Sequence, residues 1–394
     1  MKKRIPTRIP AKSILAAALL LLTAACSPDI MTPPDPTPQD SYRIDTLPGS
    51  DNATTRLNQR KLQALVRKIN RGLLGNMHSL VIIHNDELVL EEYFAGWTRD
   101  MLHPCYSATK SITSALVGMA IEQEHITGVD ANMLDFFPEY GSIANPDQRK
   151  EAITLEHLLT MSAGFEWDEV SAAYVDQQGN INAENSAMQM AQSDDWIKFV
   201  LDLPLISDPG SEFLYNSGVT QLLSGILTST TGLTAEAYAA ENLFPHLGIT
   251  EWRWPADPLG HSNTGYGLSL HPANMAMFGY LFLKGGRLGG VQVVPESWVA
   301  DSVAHHIAFA NWDEYMNENY EYGYQWWLIP DHHTYADPEN IGDIYYASGF
   351  GGQKIVVMPD IDMVVVTTSA DFPAGMGSFL ALFEGILPAL EHLD

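Results

Sequence analysis

The sequence predicts an α+β domain in which one antiparallel sheet, built from both chain ends and flanked by helices, carries an inserted all-helical subdomain. Two short runs of strand character, Ser79 to His84 and Glu87 to Phe94, face each other across the turn pair Asn85-Asp86, as in a hairpin. Strand character returns only near the far end, at Tyr322 to Ile329, Gln353 to Met358 and Met363 to Thr368. Between them, from Ser107 to about Leu243, the apolar spacing is helical. A sheet whose strands come from the two ends, with helices between, needs a helical region inserted into it.

Residues 1–25 begin with Lys2, Lys3, Arg4, Arg8 and Lys12, continue in an apolar run from Ile14 to Leu22, and end in Thr23-Ala24-Ala25 before Cys26. The apolar run is too short to span a bilayer, which takes about 20 residues, and reads as the core of a secretory signal. Small residues leading into a cysteine resemble the bacterial lipobox. That resemblance implies a lipoprotein signal peptide over 1–25, lipidation at Cys26 and, with Ser27 next, a lipid-anchored place in the cell envelope at the outer membrane. Ordinary cleavage, leaving a soluble periplasmic protein, is the alternative.

The five basic residues leave with the signal, taking the formal charge from −27 to −32. Such a surface repels phosphate backbones, which argues against nucleic acid as a partner. Once Cys26 is lipidated, Cys105 is the sole remaining thiol, so no internal disulfide can form and the fold depends on its core.

Residues 26–55, rich in Pro, Asp, Ser and Thr, read as a flexible tether, and 56–394 as the folded domain, with its helical subdomain over about 107–265. A first helix is expected from Leu57 to Asn70, then the hairpin. Helices follow near 107–124, 154–161, 194–202, 215–230 and 234–243. Another is expected near 271–284, ahead of the Gly-rich turn Gly285 to Gly290. A helix near 296–303 precedes the three late strands, and a final helix covers about 376–391. There is no internal repeat.

Ser107-Ala108-Thr109-Lys110 carries the chemistry. A serine hydroxyl is a weak nucleophile until a neighbouring base takes its proton, and on a helix positions i and i+3 share a face. The apolar run after it, Ile112 to Ile121, places Ser107 at a helix N-terminus, where the partial positive charge favours an alkoxide or oxyanion. A lysine near the buried end of such a helix also needs a reason to be there.

Several further segments, in order, match one family. Ile153-Thr154-Leu155-Glu156-His157-Leu158-Leu159-Thr160-Met161-Ser162-Ala163-Gly164 and Pro209-Gly210-Ser211-Glu212-Phe213-Leu214-Tyr215-Asn216-Ser217 are two of them. Leu243 to Ile249, Pro295 to Trp298 and Tyr322 to Trp327 are the others. Together with Ser107-x-x-Lys110 they resemble the serine β-lactamase-like superfamily of penicillin-recognising hydrolases. The nearest branch holds class C β-lactamases, D-alanyl-D-alanine carboxypeptidases, carboxylesterases and 6-aminohexanoate-dimer hydrolases. The resemblance covers about Leu57 to Leu390 and implies the β-lactamase/transpeptidase-like fold. It further implies an acyl-enzyme on Ser107, with Lys110 and Tyr215 sharing the proton traffic. The oxyanion would be held by the backbone N–H groups of Ser107 and Phe350, with Gly349, Gln353 and Ser217 facing substrate.

Two departures from the family pattern bear on substrate. The usual Y-x-N is here Tyr215-Asn216-Ser217; the literal Tyr315-Met316-Asn317 lies in an acidic stretch and is set aside. There is no K-T-G, the H-x-G at His246-Leu247-Gly248 lies in the wrong segment, and Ala347-Ser348-Gly349-Phe350-Gly351-Gly352-Gln353 stands at the third motif. The base that would meet a substrate carboxylate is missing, so the expected substrate is a small ester or amide. A β-lactamase or D-alanyl-D-alanine peptidase is the alternative within the family, and a catalytically silent cell-wall peptide binding module the alternative outside it. No cofactor or metal is expected: His305-His306 and His332-His333 are adjacent pairs, and Cys105 reads as a small buried residue.

Overall fold

The computed structural model describes residues 42–49, 57–171, 173–174, 181–309, 320–329, 341–372 and 375–390. The signal segment, Cys26, Tyr315-Met316-Asn317 and His332-His333 lie outside the described residues. Packed structure begins upstream of the expected start: Ile44 and Leu47 are buried, Tyr42 N–H donates to the His246 carbonyl and Leu88 N–H to that of Pro48. Residues 42–49 of the expected tether are therefore docked on the domain.

The expected sheet is present, with eight strands, all antiparallel. They are β1 (Met77–His84), β2 (Glu87–Tyr93), β3 (Ile307–Phe309), β4 (Tyr320–Tyr322), β5 (Trp327–Ile329), β6 (Ile344–Gly349), β7 (Gln353–Met358) and β8 (Met363–Ser369), in the order β2-β1-β8-β7-β6-β5-β4-β3. The hairpin turns on Asn85 and Asp86, both at positive φ (51° and 64°), the geometry of a two-residue turn matched to strand twist. β1 is buried along its whole length, because it pairs with β2 on one side and with β8 on the other. Val81 and Ile83 face one core and Leu80 and Ile82 the other.

On the rear face lie the first helix, α1 (Gln59–Asn70), and the last turns of the chain. Leu62, Leu65 and Ile69 meet Leu382 and Ile386 over β1 and β8. The expected final helix is broken into a regular turn (Met376–Ala381), a wide turn (Leu382–Ile386) and a tight turn (Leu387–Ala389); Pro388 lacks the N–H that would continue it. On the front face α8 (Pro272–Leu283) crosses the sheet. Its Gly279 lies so close that a Cβ there would stand 2.7 Å from Val364.

The helical region contains α2 (Thr109–Glu122), α3 (Leu155–Leu159), α4 (Ser186–Ala191), α5 (Trp196–Leu201), α6 (Ser217–Thr231) and α7 (Ala235–Asn242). α4 and strands β3 and β6 were not expected from the sequence. The expected single strand Tyr322 to Ile329 is two strands about a turn. Gln325, at φ 64° and buried, donates from its amide to the carbonyls of Leu158 (3.0 Å) and Leu159 (2.8 Å) and accepts from Thr220 (2.9 Å). Those bonds pin the sheet edge to α3 and α6, so the chain reverses there.

One buried charge on the rear face has no acidic partner among the described residues. Lys354 on β7 lies over the rings of Tyr346 and Phe379 and donates to Ser348 Oγ (2.5 Å). Burial lowers its pKa from 10.5 to about 7. The unfolded chain therefore binds more protons between about pH 7 and 10.5, and stability rises with pH across that window. Lys354→Met is expected to stabilise the protein, by on the order of 3 kcal/mol at pH 7 or below, with the gap closing toward pH 10. Denaturant melts at several pH values check this; a gap that widens with pH would refute it.

Candidate active site

The turn that carries Ser107 is held from below. His103 and Pro104 pair with Leu270 and Ser269, and Cys105 N–H donates to the Leu268 carbonyl (2.8 Å). The His103 ring bonds that of His78 (2.8 Å) beside Trp97. Tyr106 follows at φ 46°, a conformation that costs a side-chain-bearing residue energy and is sustained only by its surroundings. Ser107 comes next, in a tight turn that feeds directly into α2. Cys105 is fully buried and burial pushes its thiol pKa far up, which leaves it unreactive.

One turn along α2, Lys110 is 2 % exposed. Its Nζ lies 3.2 Å from Ser107 Oγ, 2.8 Å from Ser217 Oγ and 2.7 Å from the Gly265 carbonyl. Desolvation lowers its pKa to about 8, although the charge of Glu169 acts in the opposite direction. Burial thus brings the neutral amine within easier reach than in an ordinary lysine.

The two long sequence boxes converge to place Tyr215. Gly210 N–H donates to the Ser162 carbonyl (2.8 Å) and Leu214 N–H to that of Met161 (2.8 Å), so the first box is a cradle for the second. Asn216 caps α6, accepting from Val219 N–H (3.1 Å). That leaves Ser217, the first helical residue, to face Lys110. The Tyr215 ring lies under Lys110 Nζ at 4.8 Å and stacks on Trp327. Its hydroxyl hydrogen-bonds Ser107, and burial holds its pKa well above the ordinary value, so it stays a protonated donor.

Glu169 joins this cluster without having been singled out in the sequence. It is 3 % exposed. Its Oε1 accepts from Ser217 Oγ (2.8 Å), and its Oε2 from Ser217 N–H (2.8 Å) and Trp167 Nε1–H (2.6 Å). The only signal is an acid two residues after a tryptophan in an acidic loop, which has no periodicity to mark it.

The end of β6 closes the site from the sheet side. A Cβ on Gly349 would stand 2.1 Å from the Cys105 carbonyl, so only glycine lets this strand touch the turn that carries Ser107. Phe350 follows, and its N–H donates to no backbone carbonyl among the described residues. Gln353 departs from its expected place against substrate. Its amide donates to the carbonyls of Phe350 (2.6 Å) and Ser369 (2.9 Å) and accepts from Ser369 N–H (2.8 Å). It is fully buried and braces the turn that carries Phe350.

A narrow cleft opens here, lined by Tyr106, Ser107, Tyr174, Met188, Tyr266 and Phe350. None of these is basic. Ala347 is fully buried, and the lysine nearest to it in sequence, Lys354, belongs to the rear face. Among the described residues no three His, Cys, Asp or Glu side chains are grouped to hold a metal.

The profile of the Beta-lactamase family matches residues 66–381. The 6-aminohexanoate-dimer hydrolase of Paenarthrobacter ureafaciens is 25 % identical over 303 residues, covering 74 % of this chain and 72 % of that one. Among solved structures, EstCE1, described as a hydrolase with promiscuous acyltransferase activity, superposes with a TM-score of 0.63 at 15 % identity, over 81 % of this chain and 95 % of its own. A class C beta-lactamase does so with a TM-score of 0.60 at 13 % identity, over 88 % and 100 %. At these identities the structural likeness establishes the fold.

Gly349→Ala is expected to push β6 away from the nucleophile turn, misplacing Phe350 N–H and lowering kcat about 100-fold with a smaller change in KM. Steady-state kinetics check it, and near-normal turnover would remove Phe350 from the reaction.

Proposed function

The chain belongs to the Beta-lactamase family of hydrolases, and from that premise we propose that it is a serine hydrolase acting through an acyl-enzyme on small, uncharged esters or amides. The observation that carries this reading is the contact of the Ser107 hydroxyl with both the Lys110 amine and the Tyr215 hydroxyl at the floor of a cleft with no cation lining it among the described residues.

In this mechanism Ser107 Oγ attacks the substrate carbonyl while its proton passes to the Lys110 and Tyr215 pair. The oxygen that becomes negative lies toward the N–H groups of Ser107 and Phe350. Each such donor is worth on the order of 3 kcal/mol in acyl transfer. Tyr215, kept protonated by burial, returns a proton to the leaving alcohol or amine. Water then enters by the same route and releases the acid. The positioned acid and base contribute roughly 10²–10⁴-fold.

The apolar, aromatic lining favours an apolar acyl group. The family's carboxylate-binding cation is replaced by Ala347, which disfavours penicillins, cephalosporins and D-alanyl peptides. The names of one relative, a 6-aminohexanoate-dimer hydrolase, and one neighbour, a hydrolase with acyltransferase activity, fit acyl transfer to and from such a serine. Short-chain p-nitrophenyl esters are expected to be turned over with kcat/KM at least ~100-fold above nitrocefin, about 2.7 kcal/mol in transition-state binding. Ser107→Ala should abolish both activities. Equal or faster nitrocefin turnover would restore the β-lactamase reading.

We further propose lipid attachment at Cys26, which supplies the hydrophobic hold on the envelope. Cys26→Ser is expected to move the protein from the membrane fraction to the soluble one with esterase activity intact; a variant that still pellets with membranes would overturn the assignment.

A further inference from the structure

The hydrogen bonds around Lys110 can be ordered by asking which atoms have protons to give. The Glu169 carboxylate has none. Ser217 Oγ, 2.8 Å from Oε1, therefore donates its single proton to Glu169, and toward Lys110 it can only accept. The Gly265 carbonyl likewise can only accept. A neutral lysine amine has two N–H bonds and one lone pair. Both N–H bonds are taken, one by Ser217 Oγ (2.8 Å) and one by Gly265 O (2.7 Å). The lone pair is left for the third contact, Ser107 Oγ at 3.2 Å.

We propose that Glu169 is a positioning residue: by fixing the direction of the Ser217 hydroxyl, it makes Lys110 present its lone pair, and not an N–H, to Ser107. This rests on the reading of Ser107 as nucleophile and assigns the proton-accepting role within the pair to Lys110. As Ser107 Oγ bonds to the carbonyl carbon, its proton moves onto that lone pair. Lys110 becomes an ammonium, and the carbonyl electron pair goes to the oxygen. Glu169, joined to Lys110 through Ser217, then stands as the counter-charge. The other titratable groups about the site, Tyr174, Tyr215 and Tyr266, have pKa values raised by burial and by the Glu169 charge, so they remain neutral.

The substitution Glu169→Gln separates this role from simple charge. Two N–H donors, from Ser217 and Trp167, converge where Oε2 stands, so the glutamine must place its carbonyl there and its NH₂ toward Ser217 Oγ. Ser217 then accepts from Gln and turns its proton toward Lys110. The lysine lone pair is drawn to Ser217 and an N–H faces Ser107. The base has been reversed with hardly an atom moved.

With p-nitrophenyl butyrate as substrate, Glu169→Gln is expected to lower kcat at least ~100-fold with KM within about threefold. Ser217→Ala should lower kcat about tenfold. The double variant should fall within about threefold of Ser217→Ala, because without a hydroxyl at 217 there is nothing to reverse. A double variant that loses a further ~100-fold overturns the proposal. So does a Glu169→Gln variant that keeps its kcat and merely moves the acid limb of kcat/KM to lower pH, which is what removing a charge that raises the Lys110 pKa would do. If Glu169→Gln does not fold, Ser217→Thr, which keeps the hydroxyl, must recover the turnover lost in Ser217→Ala; equal activity of the two rejects the role. Ser107→Ala is the control for the underlying reading. Turnover that survives in it removes the nucleophile, whereas Ser107-dependent turnover with an additive cycle removes only Glu169.

Discussion

An amine has been taken out of water at Lys110, and much of the molecule is arranged around that fact. Desolvation of a lysine is costly unless its N–H groups find partners, and its partners come from distant parts of the chain: Ser217 opens α6, and Gly265 lies in the segment leading back to the sheet. Each partner is held in turn. Asn216 caps the helix that presents Ser217, and Thr264 Oγ1 donates to the Thr220 carbonyl (2.7 Å), tying the Gly265 segment to the same helix. Breaking any of these would leave a buried amine short of an acceptor, so the chemistry and the packing of the helical region share one constraint.

The sheet faces a different difficulty, that its neighbouring strands β1 and β8 come from opposite chain ends. Ser79 and Thr368, 289 residues apart, share a 2.6 Å hydrogen bond. Closing so long a loop is entropically unfavourable and slow. The reward is the burial of Leu80, Val81, Ile82 and Ile83 against both layers at once.

How much of this could be read from the sequence follows from the range of each interaction. Ser107 and Lys110 are one helical turn apart, so their contact is local and visible. The Tyr215 box was visible because its Pro-Gly turn and cap residues have local causes. Glu169 was not, since its place depends on Ser217, 48 residues further along the chain, meeting its carboxylate. The positive φ of Tyr106 is likewise imposed by the strand pair beneath it. Strand β6 was missed because Ile344 to Gly349 breaks off at a glycine required by contact with Cys105, a residue 244 positions earlier. Tyr322 to Ile329 was read as one strand because Gln325 looks like any polar residue until its bonds to Leu158, Leu159 and Thr220 are seen. Gln353 was expected to face substrate, yet its bonds run to backbone.

The touch between Gly349 and the Cys105 carbonyl has a consequence in time. The two backbone amides proposed to hold the oxyanion, those of Ser107 and Phe350, belong to stretches of chain made far apart in synthesis. A growing polypeptide that already contains Ser107, Lys110, Glu169 and Tyr215 still lacks Phe350, and it lacks the strand that holds β1 in the sheet. On the proposed mechanism such a nascent chain is chemically unarmed. The site is complete only when nearly the last sheet strand has been added, so under that proposal reactivity is delayed by topology alone.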